Sequence, residues 1–176
     1  MPAAPQPDVP PPGAVGAAAR YYLEVGDNYF REGRYVDALS RYRRAARAAP
    51  QRATVHLRQG FALAAIQRYD LAAQSFEQAL ELEPGALRPP FHLNTLFRGD
   101  QEAKERLLDA TAAAVEAAPN DVEPLYVYGV LLYCNGQLVE AEATLERVVE
   151  FLGERPQHVT ALLVDVDERM ERLLGG

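Results

Sequence analysis

Residues 19–52 read ARYYLEVGDNYFREGRYVDALSRYRRAARAAPQR, and the spacing of small and large side chains within them returns further along the chain. Gly26, Ala38, Ala45 and Pro50 are answered 34 positions later by Gly60, Ala72, Ala79 and Pro84. Tyr22, Tyr29 and Tyr42 are answered by His56, Leu63 and Phe76, and only Val25, answered by Gln59, breaks the match of structural roles. The stretch is therefore one unit of a repeat.

Within the unit, apolar residues Ala18, Tyr22, Val25 and Tyr29 recur at helical spacing, and Glu32-Gly33-Arg34 supplies a stop. A first helix is expected from Ala17 to Arg31 and a second from Tyr35 to Ala48, ended by Pro50, which cannot continue the hydrogen-bond ladder. Gly26 costs a helix roughly 1 kcal/mol against Ala on propensity alone, so it needs a packing reason. Ala38 on the second helix is the expected partner. The second unit places helices at about Ala53 to Ile66 and Tyr69 to Leu82, with Gly60 and Ala72 as its close contact and Pro84 as its end.

A period of 34 residues with Gly at the eighth position, Ala at the twentieth and twenty-seventh and Pro at the thirty-second resembles the tetratricopeptide repeat. Gly129, Gly136 and Ala141 fit another copy over Val122 to Arg155, with Leu125, Tyr128, Leu132 and Leu145 at its large apolar positions. The copy between, Leu87 to Asp121, is divergent: Thr95 stands at the Gly position and Leu107 at the first Ala position. Pro89 and Pro90 at its start and Arg98-Gly99-Asp100 after about two turns imply a short first helix, followed by a long second one from Gln101 to Ala118. The two bulkier residues are expected to push this pair apart and change the curvature locally. Gln157 to Leu174 carries Val159, Leu162, Leu163, Val166, Met170, Leu173 and Leu174 on one stripe, which suits a helix capping the last apolar face. The resemblance thus implies an all-α solenoid of four helix pairs, a right-handed superhelix over residues 18–176, with repeats at about 19–52, 53–86, 87–121 and 122–155.

Composition sets the outer limits. With 176 residues, 48% of them hydrophobic, the chain fits one domain whose core requires neither disulfide nor metal. Residues 1–17 hold six of the 13 prolines and no aromatic residue, so they are expected to form a mobile or polyproline-like tail, a linker or a proline-rich ligand. No apolar run is long enough to span a bilayer and no signal-peptide pattern opens the chain; a soluble, cytoplasmic setting is the expectation. The net charge of -7 argues against nucleic acid, which calls for a basic stripe. That charge is uneven, because residues 19–52 hold eight Arg against four acids and residues 122–155 two Arg against six Glu. Such polarity suits a solvated face, or else a steered or head-to-tail contact, so a homo-oligomer is open.

The residues show no catalytic constellation. His56, His92 and His158 lie far apart with no His or Cys at metal-ligand spacing, there is no phosphate loop, and Cys134 sits in the apolar run VLLYCNG without a basic neighbour. Asp165 and Asp167, two apart on a helix, face different directions. No enzyme activity, cofactor or metal is expected.

The resemblance further implies that each first helix turns its second, fifth, ninth and twelfth positions into a concave groove. These are Arg20, Leu23, Asp27 and Phe30; Thr54, Leu57, Phe61 and Ala64; Pro89, His92, Leu96 and Gly99; and Glu123, Tyr126, Val130 and Tyr133. Family members that grip the carboxylate end of chaperones carry Lys, Asn and Arg at such places. Here Leu23 and Asp27 stand in the first repeat and Pro89 and Leu93 in the third, so that clamp is not expected. A largely apolar and aromatic groove suits an amphipathic helix or extended apolar segment of a partner protein. The alternative is a self-associating scaffold whose groove is filled by the C-terminal helix or by a second copy.

Overall fold

The computed structural model describes residues 15–89 and 91–175. Most of the expected N-terminal tail lies outside the described residues, while Val15, Gly16 and Ala17 already belong to the first helix. Nine α-helices and no strand occur among the described residues: α1 (Val15–Arg31), α2 (Tyr35–Ala48), α3 (Ala53–Ala65), α4 (Tyr69–Leu82), α5 (Leu93–Phe97), α6 (Gln101–Ala117), α7 (Val122–Asn135), α8 (Leu138–Leu152) and α9 (Gln157–Leu174).

The helices are joined by a repeated turn. Gly33 and Gly136 take left-handed backbone, at φ 72° and 81°, and the following amide reaches back to the carbonyl of Tyr29 or Leu132. Gln67 holds the same place between α3 and α4 at φ 59°, with Arg68 N–H donating to the Leu63 carbonyl at 2.9 Å. A left-handed residue with this hydrogen bond closes a helix and reverses the chain at once, so each pair becomes a tight hairpin. Glycine adopts that conformation without strain, and Gln67 does not.

Three hairpins share one packing rule. A Cβ added to Gly26 would stand 2.5 Å from the Tyr42 ring, one added to Gly60 2.5 Å from the Phe76 ring, and one added to Gly129 2.8 Å from Leu145. The glycine therefore makes room for the large residue sixteen positions on. Ala38 and Ala72, the partners expected from the sequence, are fully buried, but the close approach is made by the ring. Tyr42, Phe76 and Leu145 are among the most deeply buried side chains, and aromatic burial of this kind is a large part of what holds each pair together.

The stacking order departs from a plain succession of pairs. The first two hairpins follow one another through α2 and α3, but the hairpin α7–α8 rests directly on α4. The hairpin α5–α6 stands to one side, α5 against α1 and α7, and α6 against α3 and α7. The reason is local. With five residues, α5 is too short to fill the place taken by the 13 residues of α3 or the 14 of α7. Left-handed Arg98 and Gly99 end it, and the Asp100 side chain accepts from Ala103 N–H at 3.0 Å to start α6. Thr95 is exposed and Leu107 is buried, and the hairpin as a whole stands aside from the stack.

Candidate functional site

The residues expected to line the inner groove fall into two covered groups. On the first two hairpins, Phe30 meets Phe97 of α5 edge to face at a centroid distance of 5.1 Å, and Phe61 stacks on Phe91 at 5.4 Å. The connection before α5 and α5 itself thus lie over α1 and α3. Asp27, half-buried, accepts from Tyr42 Oη at 2.8 Å and from Arg58 Nε at 2.9 Å, and the Arg58 guanidinium lies over the Phe91 ring. Its carboxylate ties α1, α2 and α3 together. Burial first, and then the Asp27 charge, push the Tyr42 phenol well above its usual pKa.

The second group lies on α7 under α9. Tyr126 meets the imidazole of His158 edge to face at 5.2 Å, and the Arg169 guanidinium lies 5.0 Å from the Tyr133 ring. Tyr133 Oη donates to Asp165, whose other oxygen accepts from Arg88 Nε at 2.7 Å. Asp165 is only 3% exposed and sits on the same face of α9 as Val159, Leu162, Leu163 and Val166. An acid placed among apolar residues at helical spacing was a visible sign of a paired internal charge, and sequence reasoning passed over it as a failed catalytic pair. Arg88, from the divergent connection, completes a polar latch joining α7, α9 and the segment before α5. Burial, and next the hydrogen bond to Asp165, push the Tyr133 phenol up.

Of the ten proposed groove residues, Phe30, Leu57, Phe61, Leu96, Tyr126, Val130 and Tyr133 are each at most 3% exposed. Leu23 and Asp27 are partly covered, and His92 is exposed just before α5. The structure brings Phe30 and Phe61 together with the α5 segment, and Tyr126 and Tyr133 together with α9, but does not bring all ten around one open cleft. Cys134 is buried with its thiol pushed up by burial. No group of three or more His, Cys, Asp or Glu among the described residues could hold a metal ion. No helix among them is long and apolar enough to cross a membrane.

Exposed large apolar side chains are spread over the molecule, Val36, Phe151 and Val164 among them, and three lie together at the far end. Val139 on α8 and Leu173 and Leu174 at the end of α9 are 66%, 76% and 89% exposed, around a cavity of about 350 Å³ that Met170 also lines.

Helical hairpins closed by a left-handed turn, with a glycine seating the large residue of the partner helix, define the class as a helical-repeat solenoid. Residues 23–86, from within α1 to the connection after α4, match the family model described as Tetratricopeptide repeat. A comparison with curated proteins found no match.

Solved structures similar to the chain include the first repeat domain of Spaghetti (RPAP3), bound to the HSP90 peptide SRMEEVD. It is 16% identical, over 88% of this chain and 97% of that one, with a TM-score of 0.42. The second repeat domain of human RPAP3, in complex with the HSP70 peptide SGPTIEEVD, is 17% identical over 87% and 95%, with a TM-score of 0.39. MamA from Desulfovibrio magneticus RS-1 is 22% identical over 90% and 88%, with a TM-score of 0.40.

Proposed function

We propose that the chain is a non-enzymatic protein-interaction module whose inner face takes an amphipathic helix, and that α9 is the helix it holds when no partner is bound. The observation that carries this reading is the seating of α9, which packs along α8 and α4 and reaches α7 through Tyr126 and Tyr133. An 18-residue helix with one apolar stripe lies over Tyr126 and Tyr133 and is held by the buried carboxylate of Asp165. A face that buries such a helix within the chain has the shape and chemistry to bury one from another protein, recognised by aromatic area and one polar anchor. A carboxylate clamp is not part of this reading, because Leu23, Asp27, Pro89 and Leu93 stand where the family resemblance would need Lys, Asn and Arg.

The test is to titrate a synthetic peptide of residues 157–174 into full-length wild-type chain, Asp165→Ala and Arg88→Ala. Asp165→Ala weakens only the chain's own helix, since the peptide keeps Asp165, whereas Arg88→Ala removes a partner that either helix would use. Binding to at least one variant, much tighter than to wild type, is the expected result. If both variants are folded by circular dichroism and neither takes up the peptide, the reading is wrong.

A second reading, self-association, is favoured by the exposed Val139, Leu173 and Leu174 at one end of the molecule. Concentration-dependent sedimentation, abolished by Leu173→Glu with Leu174→Glu, would support it.

A further inference from the structure

The helices α2 and α8 carry equal and opposite charge. Four Arg and one Asp give Tyr35–Ala48 a charge of +3, and four Glu and one Arg give Leu138–Leu152 a charge of -3. On α2 the exposed residues Val36, Ser40, Arg43 and Arg47 recur at intervals of four, three and four, which sets them in one stripe. On α8 Val139, Ala143, Glu146 and Glu150 recur at the same intervals, with Glu146 half-buried and the others exposed. Both stripes begin at the second residue of their helix, and each opens on an exposed valine, Val36 at 68% and Val139 at 66%.

These stripes are unused within the chain. The helix α2 packs on α1 and α3, and α8 packs on α7 and α9, which leaves both stripes to solvent. Among the described residues no hydrogen bond or ion pair engages the side chains of Arg43, Arg47 or Glu150, and Glu146 meets only the half-exposed Arg155, at 2.8 Å. Arg41 and Arg44 lie over the rings of Tyr29 and Tyr22 and belong to a different face. The helix α4 is as acidic as α8, but its matching stripe is Asp70, Gln74, Glu77 and Glu81, which has no valine, and Glu77 lies against His158 of α9.

Aligned parallel and in register, the two stripes place Val36 on Val139, Ser40 on Ala143, Arg43 on Glu146 and Arg47 on Glu150. Turned antiparallel, they set each valine against a charge. Pairing α2 with α2 opposes Arg to Arg, and pairing α8 with α8 opposes Glu to Glu, so like surfaces are rejected. The chain as a whole carries -7, which repels copies in most orientations and steers approach through the basic α2.

We propose that α2 of one copy of the chain docks on α8 of another, parallel and in register. Such docking presupposes the self-association described above and gives it both of its surfaces. Because the two surfaces differ, each contact leaves an α2 and an α8 unused, and assembly continues copy by copy unless the rotation closes a ring. Exposed ion pairs are individually weak and are screened by salt, so assembly depends on concentration and on ionic strength.

Sedimentation velocity of the full chain at rising concentration tests this. In about 0.01 M salt, where the Debye length is about 30 Å, species larger than a monomer are expected, and in about 1 M salt, where it is about 3 Å, they are expected to dissociate. Arg43→Glu with Arg47→Glu, and separately Glu146→Arg with Glu150→Arg, should each weaken association at low salt by about tenfold or more. An equimolar mixture of the two variants should associate again, since each of its mixed contacts pairs opposite charges. Both variants keep a net negative charge, so general attraction does not produce that rescue. Should a reversed variant fail to fold by circular dichroism, Arg43→Gln with Arg47→Gln and Glu146→Gln with Glu150→Gln take its place, and weaker association in both is required. A wild-type chain that stays monomeric at low salt overturns both this pairing and the self-association reading. Undiminished association in either folded variant, or a mixture of the reversed variants that stays monomeric, overturns the pairing alone.

Discussion

The hairpins α3–α4 and α5–α6 follow one another in the chain, yet they hold the molecule together in opposite ways. In α3–α4, Gly60 lets the Phe76 ring lie against the backbone of the facing helix, and its helices are 13 and 14 residues long. It stacks on its neighbours and carries the repeat onward. In α5–α6 the first helix is five residues, the glycine is replaced by the exposed Thr95, and the hairpin turns aside to lie against α1, α3 and α7. The difference teaches that helix length, more than side-chain bulk at one contact, decides whether a pair enters the stack. A short first helix leaves α4 uncovered, and α7 takes the vacant side.

The sharpest way to probe this contrast is at the aromatic joint between the two hairpins. Phe61 packs on Phe76 within its own hairpin and on Phe91 before α5, and it is fully buried. Phe61→Ala should lower the unfolding free energy in urea by about 3–5 kcal/mol. Next in size is the glycine seat. Gly60→Ala forces the Phe76 ring to move and should cost about 1–3 kcal/mol, whereas Thr95→Ala at the corresponding position of α5 should stay within about 0.5 kcal/mol. Equal effects at the two positions would erase the distinction drawn between the hairpins.

Smaller changes sharpen it. Gln67 is held left-handed where the other two turns have glycine, so Gln67→Gly should stabilise the chain by about 0.5–1 kcal/mol, read as a rise in the thermal midpoint. The smallest expected effect lies where α4 meets α7 and α9. The Glu77 carboxyl is raised above its ordinary 4.5, chiefly by burial. Stability linked to it is therefore full below that ordinary value and is lost as the pH rises through the raised one. Glu77→Gln should be more stable than wild type at pH 7, with the gain vanishing near pH 4 in a denaturation series.

The sequence was informative where local chemistry decides. Tyr35–Ala48, Tyr69–Leu82 and Gln157–Leu174 have the bounds expected of them, because glycine turns and prolines mark helix ends without help from distant residues. The seat of Gly26 was half legible: the glycine demanded a close neighbour, but whether Ala38 or Tyr42 supplied it depended on how the helices cross. What lay beyond reading was the order of stacking after α4. The contact of α4 with α7 joins residues about fifty apart, and no periodicity distinguishes it from contact with α5. The candidate site was limited in the same way. Tyr126 and Tyr133 were recognised as a pair on one face of α7, yet what covers that face is set by α9.

The latch at Asp165 also divides α9 mechanically. It grips the helix near its middle, with Val159, Leu162, Leu163 and Val166 buried beside it and Arg172, Leu173 and Leu174 exposed beyond. A pull applied past Leu174 first unwinds those last turns, which have little packing to lose, and only then loads the Arg88–Asp165–Tyr133 knot. Force reaching the latch is shared with α7 and with the connection ahead of α5. A tether at this end therefore meets a compliant lead of about two turns before it begins to lift α9 from the aromatic face beneath.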